Sequence, residues 1–150
     1  MRQQQIALII ALVLLVVLGH HSVASNKLTK NESRLPKLSQ EFIKKHFPNE
    51  KISFVIIDKE GMKTTYELMF TSGKEIEFYK NGQWKEIDTK KEAIPQSIIP
   101  SSLRQHVNEN FPNDVYIVQM EKKFWGIEVK LSNKLELEFN RQGRFLRYDN

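Results

Sequence analysis

With 150 residues, 40% of them hydrophobic, the chain has room for one ordinary domain or two small units sharing a core, which excludes a long multidomain enzyme. The absence of cysteine excludes a disulfide framework and a lipid-modified cysteine. The formal charge of +5 disperses on counting: residues 35–92 carry 11 basic and 10 acidic side chains and residues 93–150 carry 8 and 7, so neither half reads as a nucleic-acid binder. Arg141, Arg144 and Arg147 cluster near the C-terminus, a trio that fits a solvated turn better than a phosphate track.

Arg2 is followed by an unbroken apolar run from Ile6 to Leu18 and then by Ser22-Val23-Ala24, the layout of a secretory signal peptide cleaved after Ala24. The run is 13 residues, short of the roughly 20 that a permanent span needs. Periplasmic or secreted location follows, with no stable membrane insertion once the leader is removed; an uncleaved N-terminal anchor is the alternative. Ser25 to Arg34 is polar and aperiodic, so residues 25–34 read as a flexible linker.

Pro36 suits the start of a helix, because its missing amide proton would be unpaired there in any case. That helix is predicted from Lys37 to His46, with Phe42 and Ile43 inward, and Phe47-Pro48-Asn49 stops it. The same punctuation returns 64 residues on, where Pro100 opens a second helix and Phe111-Pro112-Asn113 closes it. After each helix the apolar period changes from that of a helix to the period of two of a half-buried sheet. The strands are predicted at Ile52–Ile57, Thr64–Phe70, a stretch around Ile76 and Phe78, and a fourth from Trp84. Their counterparts are Val115–Met120, Trp125–Leu131, a stretch around Leu137 and Phe139, and a fourth from Phe145.

In the third strands Glu75, Glu77, Glu136 and Glu138 point outward. A three-residue turn at Asn81-Gly82 would set Phe78 against Trp84 and Glu77 against Lys85. The segment Asp88 to Pro100, with its two Ile-Pro pairs, reads as an extended connector. The fold class is therefore α+β. Two tandem repeats, residues 35–92 and 93–150, each a helix plus a four-stranded antiparallel meander, join into one sheet of about eight strands with the helices on one face.

The leader, the Leu-Pro or Ile-Pro helix start, the Phe-Pro stop, the Tyr66-Glu67-Leu68 and Ile127-Glu128-Val129 strands, and the Glu-Phe strands with their Asn-Gly or Gln-Gly turns carry a resemblance. Together they cover Leu35 to Tyr148, and the pattern resembles the PepSY-like, β-lactamase-inhibitor-like secreted proteins of the Bacteroidota. The resemblance implies a curved antiparallel sheet like that of the β-lactamase inhibitor protein, with its open face binding a partner. Inhibition of a peptidase, or a propeptide-like role outside the cytoplasm, is the implied activity. The chain departs from the β-lactamase inhibitor protein in having no cysteines, and none of its positions aligns with the inhibitory loops.

No catalytic constellation is present, so no enzyme activity and no cofactor are expected. His20 and His21 leave with the leader, and His46 and His106 fall on different helices, so no metal site is expected. There is no Gly-x-Ser-x-Gly elbow and no glycine-rich phosphate loop. The outward glutamates read as solvent-facing partners of lysines rather than a glycosidase pair.

On the face opposite the helices, Val55, Ile57, Met69 and Tyr79 of the first repeat and Val118, Met120 and Phe124 of the second are the partner-binding candidates. Trp84 and Trp125 are in phase with the core. The expected function is a non-catalytic binding protein, an inhibitor or propeptide-like regulator whose partner is another exported protein such as a hydrolase or peptidase. The alternative is a small-molecule or envelope-polymer binding protein using the same face. A flat apolar patch would favour the first and a deep pocket with convergent polar groups the second.

Overall fold

The structure is a computed structural model and describes residues 26–149. The expected leader and its cleavage position lie outside the described residues. In chain order come β1 (Lys27–Thr29), a single 3₁₀ turn at Glu32–Arg34, α1 (Lys37–His46), β2 (Ile52–Glu60), β3 (Lys63–Phe70), β4 (Glu75–Tyr79) and β5 (Trp84–Asp88). Then follow α2 (Ser101–Asn110), β6 (Ile117–Lys122), β7 (Gly126–Leu131), β8 (Glu136–Asn140) and β9 (Phe145–Asp149).

Both helices begin where the sequence places them. Pro36 and Pro100 precede them in extended geometry, with φ of −53° and −52°. Each helix ends at a phenylalanine followed by proline; the Phe47 and Phe111 amides still donate to the Ile43 and Val107 carbonyls, and the next residue cannot continue the ladder. The nine strands form one antiparallel sheet in strict sequence order. Strands β5 and β6 join its two parts by pairing Ile87 with Met120.

Side chains alternate across this sheet, and one face is the core. Leu68, Phe70, Ile76, Phe78, Ile87, Met120, Leu131, Leu137 and Phe139 are at most 1% exposed. They pack with Ile43 of α1 and with Leu103 and Val107 of α2. Phe42 meets Phe78 edge-on at 5.9 Å, and His106 lies stacked on Phe145 at 4.6 Å. Burying each such aliphatic or aromatic side chain contributes about 1.5–3 kcal/mol, which is what holds a cysteine-free chain together.

Three expectations are corrected. Lys27–Thr29, read as part of a flexible linker, is a strand pairing with Val55–Ile57. Its three residues pair along the outer edge of β2, which itself runs on to Glu60 rather than ending at Ile57. In the β4–β5 hairpin, Phe78 does face Trp84 as expected, but Glu77 faces Glu86 and not Lys85. A bulge makes Lys85 the extra residue, and Gly82 supplies the positive φ of +86° that the turn demands. Finally, the segment from Asp88 to Pro100 is not simply extended: the Ile94 amide donates to the Ile117 carbonyl, the Thr89 hydroxyl donates to the Val118 carbonyl, and Ile94 is buried in the core.

Two substitutions test this packing. Leu103→Ala should cost about 2–5 kcal/mol in urea unfolding, because it opens a cavity at a fully buried site. At Gly126 an added Cβ would meet the Phe139 carbonyl oxygen at 1.9 Å, so Gly126→Ala should cost about 1–3 kcal/mol by forcing β7 from β8.

Candidate functional site

Two helices cover one face of the sheet, and no described helix covers the other. That open face takes the polar half of every alternating strand, so its chemistry follows from register. Glu67 of β3 stands directly opposite Glu77 of β4, Glu77 opposite Glu86 of β5, and Glu86 opposite Glu121 of β6. The row continues through Glu128 of β7 to Glu138 of β8 and ends on Arg147 of β9. Six glutamates on six adjacent strands thus form one cross-strand ladder. Like charges directly opposite in an antiparallel pair are destabilising, so the ladder works against the fold.

The neighbouring rows differ in kind. One runs from Met69 through Glu75, Asp88, Gln119, Lys130 and Glu136 to Asp149, mixing signs. Most of its carboxylates have a cation at hand: Lys90 Nζ lies 3.0 Å from Glu75 and 2.7 Å from Asp88, and Lys130 Nζ lies 2.6 Å from Glu136. At one corner, where β1 to β3 meet, the face turns apolar. Leu28, 67% exposed, stands opposite Ile56, and Phe54 stands opposite Met69.

Within the ladder the matching is partial. Lys85 reaches Glu77 at 2.7 Å, Lys123 reaches Glu121 at 2.6 Å, and Arg147 holds Glu138, which is 6% exposed, at 2.9 Å. Glu86 has the Gln119 amide at 2.7 Å and no cation within ion-pair distance, and Glu67 has no ion-pair partner among the described residues. Loss of solvation comes first, and the negative charges of Glu75, Glu77 and Glu86 second, in holding the Glu67 carboxyl above its ordinary value. Glu86 is raised by burial and then by Glu121 and Glu77, although Gln119 pulls the other way. Burial also raises Glu128, against the pull of Lys123.

At the β2 end, six carboxylates and Thr65 line a hollow of about 180 Å³. Asp58 belongs to it, and its Oδ1 is shut from solvent without a hydrogen-bond partner. At the other end the carboxylates of Glu128, Glu138 and Asp149 lie within 4.8 Å of one another, with Glu138 already ion-paired to Arg147. Neither described histidine joins these carboxylates: His106 stacks on Phe145 under the helices, its Nε2 buried without a hydrogen-bond partner. His46 Nδ1 is 3.0 Å from the Ser97 hydroxyl, and burial followed by the charge of Lys45 pushes its pKa down.

Of the residues named from sequence, Met69 and Tyr79 stand on the open face. Val55, Ile57 and Met120 do not: they are at most 6% exposed and belong to the core under the helices. Successive apolar positions do not say which set faces the helices, and in β6 the bulge between Ile117 and Gln119 resets the phase. In β2 and β6 the inward set includes these residues, and the outward set is Phe54 and Ile56, or Gln119 and Glu121. Val118 is buried at the bulge of β6, and Phe124, 84% exposed, sits in the turn before β7. Trp84 is packed against the core, as its phase implied, with Lys122 Nζ 4.1 Å above its ring. Glu67, Glu86, Glu121 and Glu128 were absent from the candidates, although a glutamate on the polar side of each strand was visible in the alternation.

Comparison with known proteins places this geometry. The family model described as "Putative beta-lactamase-inhibitor-like, PepSY-like" matches residues 64–147, more than half the chain. A Bacteroides vulgatus protein described as periplasmic and of unknown function shares 31% identity at a TM-score of 0.80, the match covering 84% of this chain and 100% of that one. A Bacteroides thetaiotaomicron protein described as calcium-regulated and periplasmic shares 34% identity at a TM-score of 0.78, covering 83% of this chain and 97% of that one. A second Bacteroides vulgatus protein, also described as periplasmic, shares 32% identity at a TM-score of 0.79, covering 84% and 98%. No curated protein matches the chain.

The raised carboxyls have a consequence for stability. A glutamate raised in the folded state binds its proton before the unfolded chain does. Its contribution is fully present below the ordinary value of 4.5 and is lost as pH rises through the folded value. Replacing Glu67, Glu86 and Glu128 together by glutamine should therefore leave Tm unchanged or raise it at pH 7. The gap between variant and wild type should narrow as pH falls toward 4.5, as followed by thermal melts across that range.

Proposed function

We propose, from the fact that the chain belongs to the PepSY-like, beta-lactamase-inhibitor-like family, that it is a non-catalytic exported protein regulating another exported protein through the open face of its sheet. The observation that carries this reading is the asymmetry of the sheet: one face is sealed under α1 and α2, while the other sets an apolar corner at Leu28, Phe54, Ile56 and Met69 beside a row of carboxylates. A face that only met water would have no use for the apolar corner. The partner is an exported hydrolase or peptidase, held by an inhibitor or propeptide-like contact.

Periplasmic location is part of the same proposal. It is supported by the leader pattern, by relatives described as periplasmic, and by the absence among the described residues of any helix long and apolar enough to cross a membrane. So is an internal duplication of a helix-plus-four-strand unit on a plan like that of the β-lactamase inhibitor protein. Gly82 and Gly143 support it, because each turn packs on the first residues of a helix: the Ser39 hydroxyl donates to the Gly82 carbonyl at 3.1 Å, and Gly143 abuts Ser102. The small-molecule alternative finds little support, since the hollow at Asp58 is shallow for a drug-sized ligand, whose pockets run to roughly 300–1,000 Å³.

Two measurements test the proposal. Intact mass of the exported protein should show a chain beginning at Ser25; a full-length mass would remove the cleaved-leader reading. The chain from Ser25 used as bait on an exported fraction should retain a hydrolase or peptidase and inhibit it. Met69→Lys/Tyr79→Lys should abolish retention while lowering the unfolding free energy by no more than about 1 kcal/mol, both sites being outside the core. Equal retention by bait and variant would overturn the open-face assignment.

A further inference from the structure

We infer that the glutamate ladder recognises a cationic polypeptide surface, a row of lysine or arginine side chains with an apolar residue beyond its β2 end. This rests on the open-face reading above and names the chemistry of the partner. Charge complementarity is the argument. The chain is net positive as a whole, yet its open face concentrates negative charge. On the half formed by β2 to β5 it carries Asp58, Glu67, Glu75, Glu77, Glu86 and Asp88 against Lys85 and Lys90. The chain does not lack lysines to place there; they lie elsewhere, as on the helix face at Lys37, Lys44 and Lys45.

The ladder differs from an ordinary solvated carboxylate face in its register. Alternating lysine and glutamate across strands would stabilise the sheet, as the Lys130–Glu136 pair does in the adjacent row. Instead six glutamates are stacked directly opposite one another, with a cation in register only at the last strand. A partner that brings cations relieves that repulsion on binding, and the gain in the complex is the mirror of the loss in the free protein. Asp58 extends the acidic surface at the β2 end: it lines the hollow together with Glu67, Glu75 and Glu77, and its Oδ1 has no hydrogen-bond partner.

Length separates a polypeptide from a bound ion. With strands roughly 4.8 Å apart, the ladder runs about 24 Å, far beyond the coordination sphere of one cation and well matched to an extended segment of seven or eight residues. Where carboxylates do converge, at Glu128, Glu138 and Asp149, Arg147 already neutralises Glu138. Ile56 and Leu28 continue the ladder's line from Glu67 onto β2 and β1, with Phe54 beside them, so the partner carries an apolar side chain past its basic row.

The test uses the chain from Ser25, a lysine homopeptide of about ten residues, long enough when extended to span the row, and calcium chloride alone, each titrated by calorimetry at two salt concentrations. Two triple variants are compared: Glu67→Gln/Glu86→Gln/Glu128→Gln, and a control with the same charge change away from the face, Glu32→Gln/Glu41→Gln/Glu109→Gln, all three exposed. The ladder variant should lose about tenfold or more in peptide affinity with a shallower salt dependence, and the control should stay within about twofold. Thermal melts check that the ladder variant is folded.

Equal losses in both variants would overturn the inference, since net charge alone would then explain binding. Calcium binding that is stronger than peptide binding and is lost only in the ladder variant would overturn it in favour of an ion site. If Met69→Lys/Tyr79→Lys releases the captured partner and the ladder variant does not, the regulator reading stands and the cationic partner falls. If neither variant releases it, both fall.

Discussion

The burial of one face of a single nine-stranded sheet under two helices is the constraint on which everything else depends. Without disulfides, the fold is held by the aliphatic and aromatic side chains that α1 and α2 seal against the strands. Because strand side chains alternate, sealing one face dictates the composition of the other. Every residue between two core positions is delivered to the open face, whatever its charge, and the pairing of strands then decides which of these residues meet.

Here that delivery produces a conflict. Direct opposition of glutamates from β3 to β8 costs stability, and the chain answers it only in part: Lys85 and Lys123 lean in from a bulge and a turn, and Arg147 closes the far end. Glu67, Glu86 and Glu128 are left with raised carboxyl groups. Places where local rules are broken without a compensating contact inside the molecule are where function is to be sought. The apolar corner at Leu28, Ile56 and Phe54 is a second departure on the same surface, and the proposed docking face rests on the two together.

The helices, their proline starts and phenylalanine-proline stops, and most strands were legible in the sequence because local chemistry decides them. Pro36 and Pro100 precede the helices as read, and Phe78 faces Trp84 as read. What was not legible depends on contacts between distant segments. Lys27–Thr29 looks like linker until β2 supplies an edge. Counting charge along the chain shows two nearly neutral halves and conceals the acidic face, since lysines such as Lys37, Lys44 and Lys45 lie on the helix side. The Glu86–Glu121 contact that joins the two halves of the ladder lies at the β5–β6 seam, and no local pattern announces it. Val55, Ile57 and Met120 were assigned to the wrong face for a related reason. A strand apolar on both sides does not say which side the helices take, and that is settled only when register ties Val55 to Leu68 and Met120 to Ile87 and Val129.

The most direct measurement is an NMR titration of the side-chain carboxyl carbons of Glu67, Glu86 and Glu128, in the free protein and with the lysine homopeptide bound. The account predicts three carboxyls that titrate above the ordinary glutamate value in the free protein and fall toward or below it in the complex, as the peptide's cations reach a row in which, of these three, only Glu128 has a cation within ion-pair distance, Lys123 at 3.8 Å. Carboxyls that titrate normally in the free protein, or that stay raised with the peptide bound, would contradict it.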